Sequence, residues 1–352
     1  MKNYKNLYEK LCSIENLELA FKKARKGKSK MSYVIEFENN LGQELQKLHK
    51  ELSEFTYKPI SLKRFIVREP KTRVIHSSAF RDRVVYHAVV NVLEPIFEKI
   101  FIYDSYASRK NKGSHKAVER LDKFIRKVSR NGKLVKNYYN KNNIAGYALK
   151  ADIKHYFQTV DHEVLLYIIK RKVKDGNLIW LIRQILNNFD AEIKGKGMPL
   201  GNLTSQFFAN VYLNKLDYFV KHELKAKYYI RYVDDFVILH NNKKILEEYK
   251  NKINIYLRAL KLELHPDKSK IVPLGNGITF LGYRIFYHHK LLRKSNIRKF
   301  EKNFNKNLNL YKDGILTYND LINSIQGWFG YSVHADTYKF RKRIMKKIRD
   351  SK

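Results

Sequence analysis

The stretch RYVDDFVIL, beginning at Arg231, constrains this chain more than any other. Two adjacent aspartates interrupt an apolar, β-rich run, and two like charges cannot both be buried cheaply. Either they cap an ordinary surface hairpin, where Asp bonds nearby backbone N–H groups, or something cationic meets them there. The flanks KYYIRYV and FVILH are both strand-like. They place the pair at the tip of a buried hairpin, where unneutralised carboxylates are costly.

A third carboxylate of the same kind lies upstream in ALKADIKHYF, where Asp152 follows an apolar strand and precedes an aromatic pair. Three carboxylates presented from two neighbouring strands form a site for two divalent cations. Phosphoryl transfer uses such a site: one metal lowers the pKa of an attacking hydroxyl and the other steadies the leaving pyrophosphate. Hard oxygen ligands point to Mg²⁺, with Mn²⁺ as the substitute ion.

The charge balance agrees. Lys and Arg number 71 against 34 Asp and Glu, a formal net charge of +37. Such an excess implies a polyanionic partner, and phosphodiester backbones fit because each neutralised phosphate releases a counterion. A membrane surface fits less well, since the basic residues are dispersed and not gathered on one amphipathic helix. A composition of 44% hydrophobic and 13% aromatic residues excludes a disordered basic tail. The single cysteine, Cys12, excludes an intramolecular disulfide framework and a cysteine-rich zinc site. With no apolar run of membrane-spanning length and no signal-peptide pattern, a cytoplasmic protein is expected.

Along the chain, the first fifty-odd residues read as helices with a basic break at GKSK. SLKRFIVREPKTRVIHSS shows β-like alternation around a turn at Glu69, Pro70 and Lys71. DRVVYHAVVNVLEPIFEKIF is helical with a break expected at Pro95. Residues 130–145 read as an exposed connection, and Asp161 as the cap of the helix that follows it. KGKGMPLGNLTSQFF is a Gly-containing loop entering a helix, and ITFLGYRIFYHHKLLR reads as a second hairpin. The remainder is helical and very basic. No internal repeat and no Pro/Gly/Ser-rich linker divides the chain.

A strand-borne Asp, then a Gly-containing loop and helix, then YxDD on a hairpin, in that order, resembles reverse transcriptases. The resemblance runs from about residue 60 to the C-terminus. RVVYHAVVNVLEP and SYASRKNKGSHKAV resemble finger segments of bacterial enzymes, LELHPDKSKIV the Lys-bearing motif after the catalytic hairpin, and FLGYRI the primer-grip hairpin. It implies an α+β, right-hand polymerase with an antiparallel-sheet palm backed by helices. The lobes would be a basic helical N-terminal extension over 1–57, fingers over 58–145, a palm over 146–287 and a helical thumb over 288–352. Within the palm, a loop and helix over 180–215 would border the fingers.

The resemblance further implies that Asp152, Asp234 and Asp235 hold the metals, together with the backbone carbonyl of Ile153. Lys268 would protonate the leaving pyrophosphate. Phe157 would lie beneath the sugar and clash with a 2′-hydroxyl. Against that stands the plainer reading of Tyr156 and Phe157 as core aromatics facing opposite sides of a strand. Arg73, with Arg68 or Lys71, would clamp the triphosphate, although in so basic a chain a basic turn also arises by chance. Trp328, Tyr331 and Tyr338 read as thumb core, and KKARKGKSK as a candidate contact for structured RNA.

In GMPLGNLTSQFF, Pro199 and Gly201 hold a tight loop, and Gly201 lets the backbone approach a base pair closely. Leu200 stands where many relatives place a glutamine that contacts the nucleotide, and Ser205–Gln206 where many have Ser-Pro. GNLTSQ with an aliphatic residue before the glycine, supported by RKVSRN and YVDDFVILH, resembles the reverse transcriptases of diversity-generating retroelements. That resemblance implies error-prone copying of a template RNA at adenines, into cDNA that replaces a variable region of a target gene. The implied partners are template RNA, primer, deoxynucleotides and a small, basic, helical accessory protein that assembles as a pentamer. Little chain remains beyond the thumb for an appended nuclease. The competing expectations are a defence-associated or retron-like reverse transcriptase copying a dedicated noncoding RNA, and a non-catalytic RNA-binding protein of polymerase shape.

Overall fold

The structure, a computed structural model, describes residues 3–68, 72–136, 143–189 and 191–351. Four helices come first: α1 (Leu7–Cys12), α2 (Ile14–Arg25), α3 (Ser32–Asn39) and α4 (Leu41–Ser53). Their helically spaced apolar residues, among them Leu11, Leu17, Leu45 and Leu48, are buried in the same core as Val85, Val89 and Leu93 of α5 (Phe80–Phe97). α5 runs through Pro95 without the expected break. The proline falls in the last turn, where the helix forfeits one backbone hydrogen bond and then ends.

Between these helices, β1 (Lys63–Val67) and β2 (Arg73–Ser77) form an antiparallel hairpin in which Val67 faces Arg73. Its alternation buries neither face. Every β1 residue is exposed, whereas β2 is half-buried from Val74 to Ser77 and carries the hairpin's contact with the body. Glu69, Pro70 and Lys71 lie outside the described residues, as do 137–142 of the expected connection.

After α6 (Ser114–Val128) comes the central sheet, whose strand order is β4-β5-β3-β6 and whose pairings are all antiparallel. Its strands are β3 (Tyr147–Asp152), β4 (Tyr228–Tyr232), β5 (Asp235–His240) and β6 (Lys270–Pro273). Both faces are covered, which explains the near-continuous apolar runs. Leu149, Ala151, Phe236 and Ile238 pack into the core with the N-terminal helices. Ala148, Ile230, Val237 and Leu239 pack on the other side with Leu121 and Ile125 of α6.

The first of these cores is completed by α7 (Tyr156–Thr159), α8 (His162–Lys170), α9 (Gly176–Asn187), α10 (Leu203–Tyr218) and α11 (Lys243–Ala259). Asp161 caps α8 as its sequence suggests, accepting from the Val164 N–H at 3.0 Å. A three-stranded sheet follows, where a single hairpin was expected: β7 (Ile278–Phe280), β8 (Tyr283–Ile285) and β9 (Lys290–Leu292). The chain closes with α12 (Lys294–Lys312), α13 (Tyr318–Ser332) and α14 (Tyr338–Arg349), which share a core of their own around Phe300, Phe304 and Leu321. Trp328 stacks on Phe300 at 3.8 Å and Tyr331 is half-buried. Tyr338 is 67% exposed, because it opens α14 on its outward side, and it is not part of that core. No helix among the described residues is long and apolar enough to cross a membrane.

One buried charge holds these layers in register. Arg231, on β4, is wholly buried. Its Nε and Nη2 donate to both oxygens of Asp217 on α10, at 2.7 and 2.6 Å. Nη1 donates to Asn210 Oδ1 and to the Val233 carbonyl, and Nη2 to Ser105 Oγ. Tyr229 also donates to Asp217, at 2.7 Å. A paired, fully hydrogen-bonded guanidinium is tolerated inside a core, and an orphaned one is not. Asp217→Ala therefore costs about 3–5 kcal/mol of stability in urea unfolding; a loss below about 1 kcal/mol would show that the pair does not hold the layers.

Candidate active site

Tyr232 and Asp235 pair across the β4–β5 hairpin and leave Val233 and Asp234 as its two-residue turn. Val233 has φ 54°, a left-handed conformation that a β-branched residue adopts only under strain. The hydrogen bond from Arg231 to its carbonyl, 2.9 Å, holds it there. On the other side of β5, Asp152 at the end of β3 is the register partner of Asp235. Residues directly opposite in a sheet project to the same face with their Cβ atoms about 5 Å apart. All three carboxylates therefore arise at one end of the sheet.

Their electrostatics follow. Burial pushes the Asp234 carboxyl up to about 6, and the neighbouring charges of Asp152 and Asp235 push the same way. Lys268 opposes them: its Nζ lies 3.1 Å from Asp152 Oδ1. Among the described residues no three acidic, His or Cys side chains are drawn together as a finished metal cage. The donor chemistry nevertheless fits a divalent cation. Hard carboxylate oxygens stand together here, and one resists ionisation because it is buried and beside like charge, a penalty that a cation would relieve. Ile153 is buried and bridges to Leu264, flanked by bonds from His265 N–H to the Asp152 carbonyl and from Lys154 N–H to the Glu263 carbonyl. In that pattern the Ile153 carbonyl points away from the 263–265 segment.

The loop before α10 gathers a second set of expected residues. Met198 N–H donates to the Phe157 carbonyl, Gly197 N–H to the Val160 carbonyl, and the Leu200 carbonyl accepts from His76 N–H on β2 at 3.0 Å. Phe157 and Leu200 are half-buried on either side of this seam. Tyr156 is fully buried, with its hydroxyl on the Ala209 carbonyl. The two aromatics lie on a helical turn and not on a strand, since β3 ends at Asp152. Gly201 has φ 112°, and a Cβ there would meet Ile75 Cγ2 at 2.9 Å. Its close approach is thus to the β1–β2 hairpin.

Gln206, in the first turn of α10, accepts from Ser108 Oγ at 3.0 Å. Arg68 and Arg73 flank the hairpin turn and are exposed. Arg73 lies three residues, about 10 Å of strand, beyond the point where His76 meets Leu200. Lys71 lies outside the described residues. The motif spacing did not find the support of Arg231 by Asp217, Asn210 and Ser105. The available signal was a lone arginine inside the apolar strand that leads to the doublet.

A protein-family model described as "Reverse transcriptase (RNA-dependent DNA polymerase)" matches residues 62–285. Among curated proteins, Protein YkfC of Escherichia coli (strain K12) is 26% identical over 285 residues, covering 70% of this chain and 72% of that protein. The group II intron-encoded protein LtrA of Lactococcus lactis subsp. cremoris is 23% identical over 339 residues, covering 76% of this chain and 53% of that protein. This chain thus spans about half the length of LtrA. Among solved structures, telomerase from Candida albicans aligns at 12% identity with a TM-score of 0.49, over 85% of this chain and 61% of the other.

The raised Asp234 carboxyl links stability to pH. Its folded value, about 6, lies above its ordinary 3.8, so the folded state binds the extra proton between those values. Stability from this group is therefore lost as pH rises from about 4 to 6, and the loss is complete above about 6. Asp234→Asn removes that dependence, and in metal-free buffer at pH 7 it is the more stable protein by roughly 1–3 kcal/mol. A variant no more stable than the wild type at pH 7, by thermal unfolding, contradicts the burial of a repelled carboxylate.

Proposed function

Because this chain belongs to the reverse transcriptase (RNA-dependent DNA polymerase) family, we propose that it extends a primer along a template RNA with deoxynucleotides, using Asp152, Asp234 and Asp235 as its metal-holding carboxylates. The observation that carries this reading is the register of Asp152 with Asp235 beside the Asp234 turn. Mg²⁺ bound by these oxygens would supply charge against the phosphorus centre and lower the pKa of the primer hydroxyl. Lys268 would give a proton to the departing pyrophosphate, a role supported by its contact with Asp152.

The remaining residues orient the nucleotide. Arg68 and Arg73, with Lys71, hold the triphosphate from the hairpin tip, and the Arg forks match phosphate oxygens. Phe157 excludes a 2′-hydroxyl. Leu200, Gly201 and Gln206 border the nascent pair, and the Ile153 carbonyl adds a metal ligand. In this reading residues 58–145 are fingers, 146–287 palm and 288–352 thumb, with 1–57 as the N-terminal extension. The +37 charge binds the template–primer backbone.

The finer proposal is a diversity-generating retroelement enzyme. Its support is Leu200 before Gly201, followed by Ser205–Gln206. An aliphatic side chain cannot test base-pair geometry by hydrogen bonding, so copying is expected to be error-prone at adenines. A small, basic, pentameric helical protein is then the expected accessory partner.

With an RNA template, a DNA primer and Mg²⁺, the wild type extends the primer. Asp152→Asn and Asp234→Asn each lower extension by at least about 10³-fold. Undiminished extension by Asp234→Asn sinks the reading. Mg²⁺ also raises the melting temperature of the wild type and not of Asp234→Asn. For fidelity, Leu200→Gln lowers misincorporation opposite template adenine about two- to tenfold; an unchanged error spectrum removes Leu200 from the specificity of the enzyme.

A further inference from the structure

Beside the carboxylate edge lies an open cavity of about 500 Å³ that the polymerase motifs leave unused. Lys154, His155, Lys196, Arg258 and Lys261 line it, and Glu263 is the acidic residue in its wall. Two of its cations are already balanced: Lys154 Nζ lies 3.7 Å from Glu263, and Lys261 donates to Asp161 at 2.7 Å. Lys196 and Arg258 have no acidic partner among the described residues. The cavity therefore keeps an uncompensated pair of cations, one an arginine fork and one a point charge.

Its position is as informative as its charge. The bonds from His265 N–H to the Asp152 carbonyl, 2.8 Å, and from Lys154 N–H to the Glu263 carbonyl, 2.9 Å, belong to one short ladder. The carboxylate edge stands at one end of that ladder and the cavity wall at the other. Lys154 is only two residues from Asp152, at most about 7 Å of backbone. Lys268 contacts Asp152 from the loop that follows the same ladder. Lys154 thus joins the two places, two residues from Asp152 along the chain and in one cavity wall with Arg258.

We propose that this cavity binds inorganic pyrophosphate as it departs the carboxylate edge. The proposal deepens the polymerase reading and rests on it for the source of the anion. A compact anion with several charged oxygens is what two unpaired cations in a concave, solvent-open site attract most strongly. The pocket is distinct from the hairpin tip, where Arg68 and Arg73 face the triphosphate before reaction.

Calorimetric titration of inorganic pyrophosphate into Asp234→Asn protein, without divalent metal, tests binding in the absence of turnover. Adding Lys196→Ala and Arg258→Ala weakens it at least about fivefold. Lys127→Ala with Lys225→Ala removes two charges near Tyr228, at the end of β4 away from the turn, and leaves it within about twofold. Equal weakening by both pairs, or none by the first, overturns the site as general attraction to a basic protein. If the double variant melts early, Arg258→Ala alone, expected to weaken binding about threefold, takes its place. In primer extension by protein with intact carboxylates, the same pair of substitutions raises the product-inhibition constant of pyrophosphate at least about fivefold, with the KM for deoxynucleotide within about twofold. A raised KM with unchanged inhibition assigns the cavity to the incoming triphosphate and overturns the exit role. Absence of primer extension would overturn the polymerase reading alone, since the calorimetry requires no catalysis.

Discussion

The Arg231–Asp217 pair is the interaction on which the arrangement of this protein depends. It lies at full burial between the central sheet and α10. From that one guanidinium, bonds reach the Val233 carbonyl, Asn210 and Ser105. The backbone of Arg231 is tied in as well, to the Asp104 carbonyl and the Tyr106 N–H. An ion pair this deep is not cheap, and a hydrophobic substitute of equal volume often stabilises more. Its return is positional: it fixes a strained turn whose geometry sets where Asp234 points.

The carboxylate edge and the basic surroundings form one electrostatic system. Burial and like charge hold Asp234 above the usual carboxylate range, so the folded chain is poised to gain from added positive charge. Lys268 supplies part of it at Asp152. A divalent ion would compete for that same oxygen. The loop before α10 is organised by different forces, namely backbone hydrogen bonds between residues 197–201, Phe157 and His76. Gly201 makes that seam possible because a side chain there would collide with Ile75.

Much of the fold was legible from local pattern. Asp161 as a cap, the RYVDDFVIL hairpin and the long amphipathic helices all follow from residue type and spacing. The misjudged places share one cause. Tyr338 reads as core by composition, but the helix it opens turns it to solvent. Pro95 suggested a break, but in a last turn proline removes little. Each depends on what lies across from the residue, and periodicity carries no record of that.

The sequence by itself determined the chemistry available: three carboxylates in order, a loop containing glycine, and a chain of formal net charge +37. Tertiary structure decided which of these meet. Strand register set Asp152 opposite Asp235, a contact between residues more than eighty positions apart. Other long-range contacts brought Lys268 to Asp152, seated Leu200 against His76, and buried Arg231 behind the turn. Register is a property of paired strands and packed faces, so no single stretch of sequence contains it.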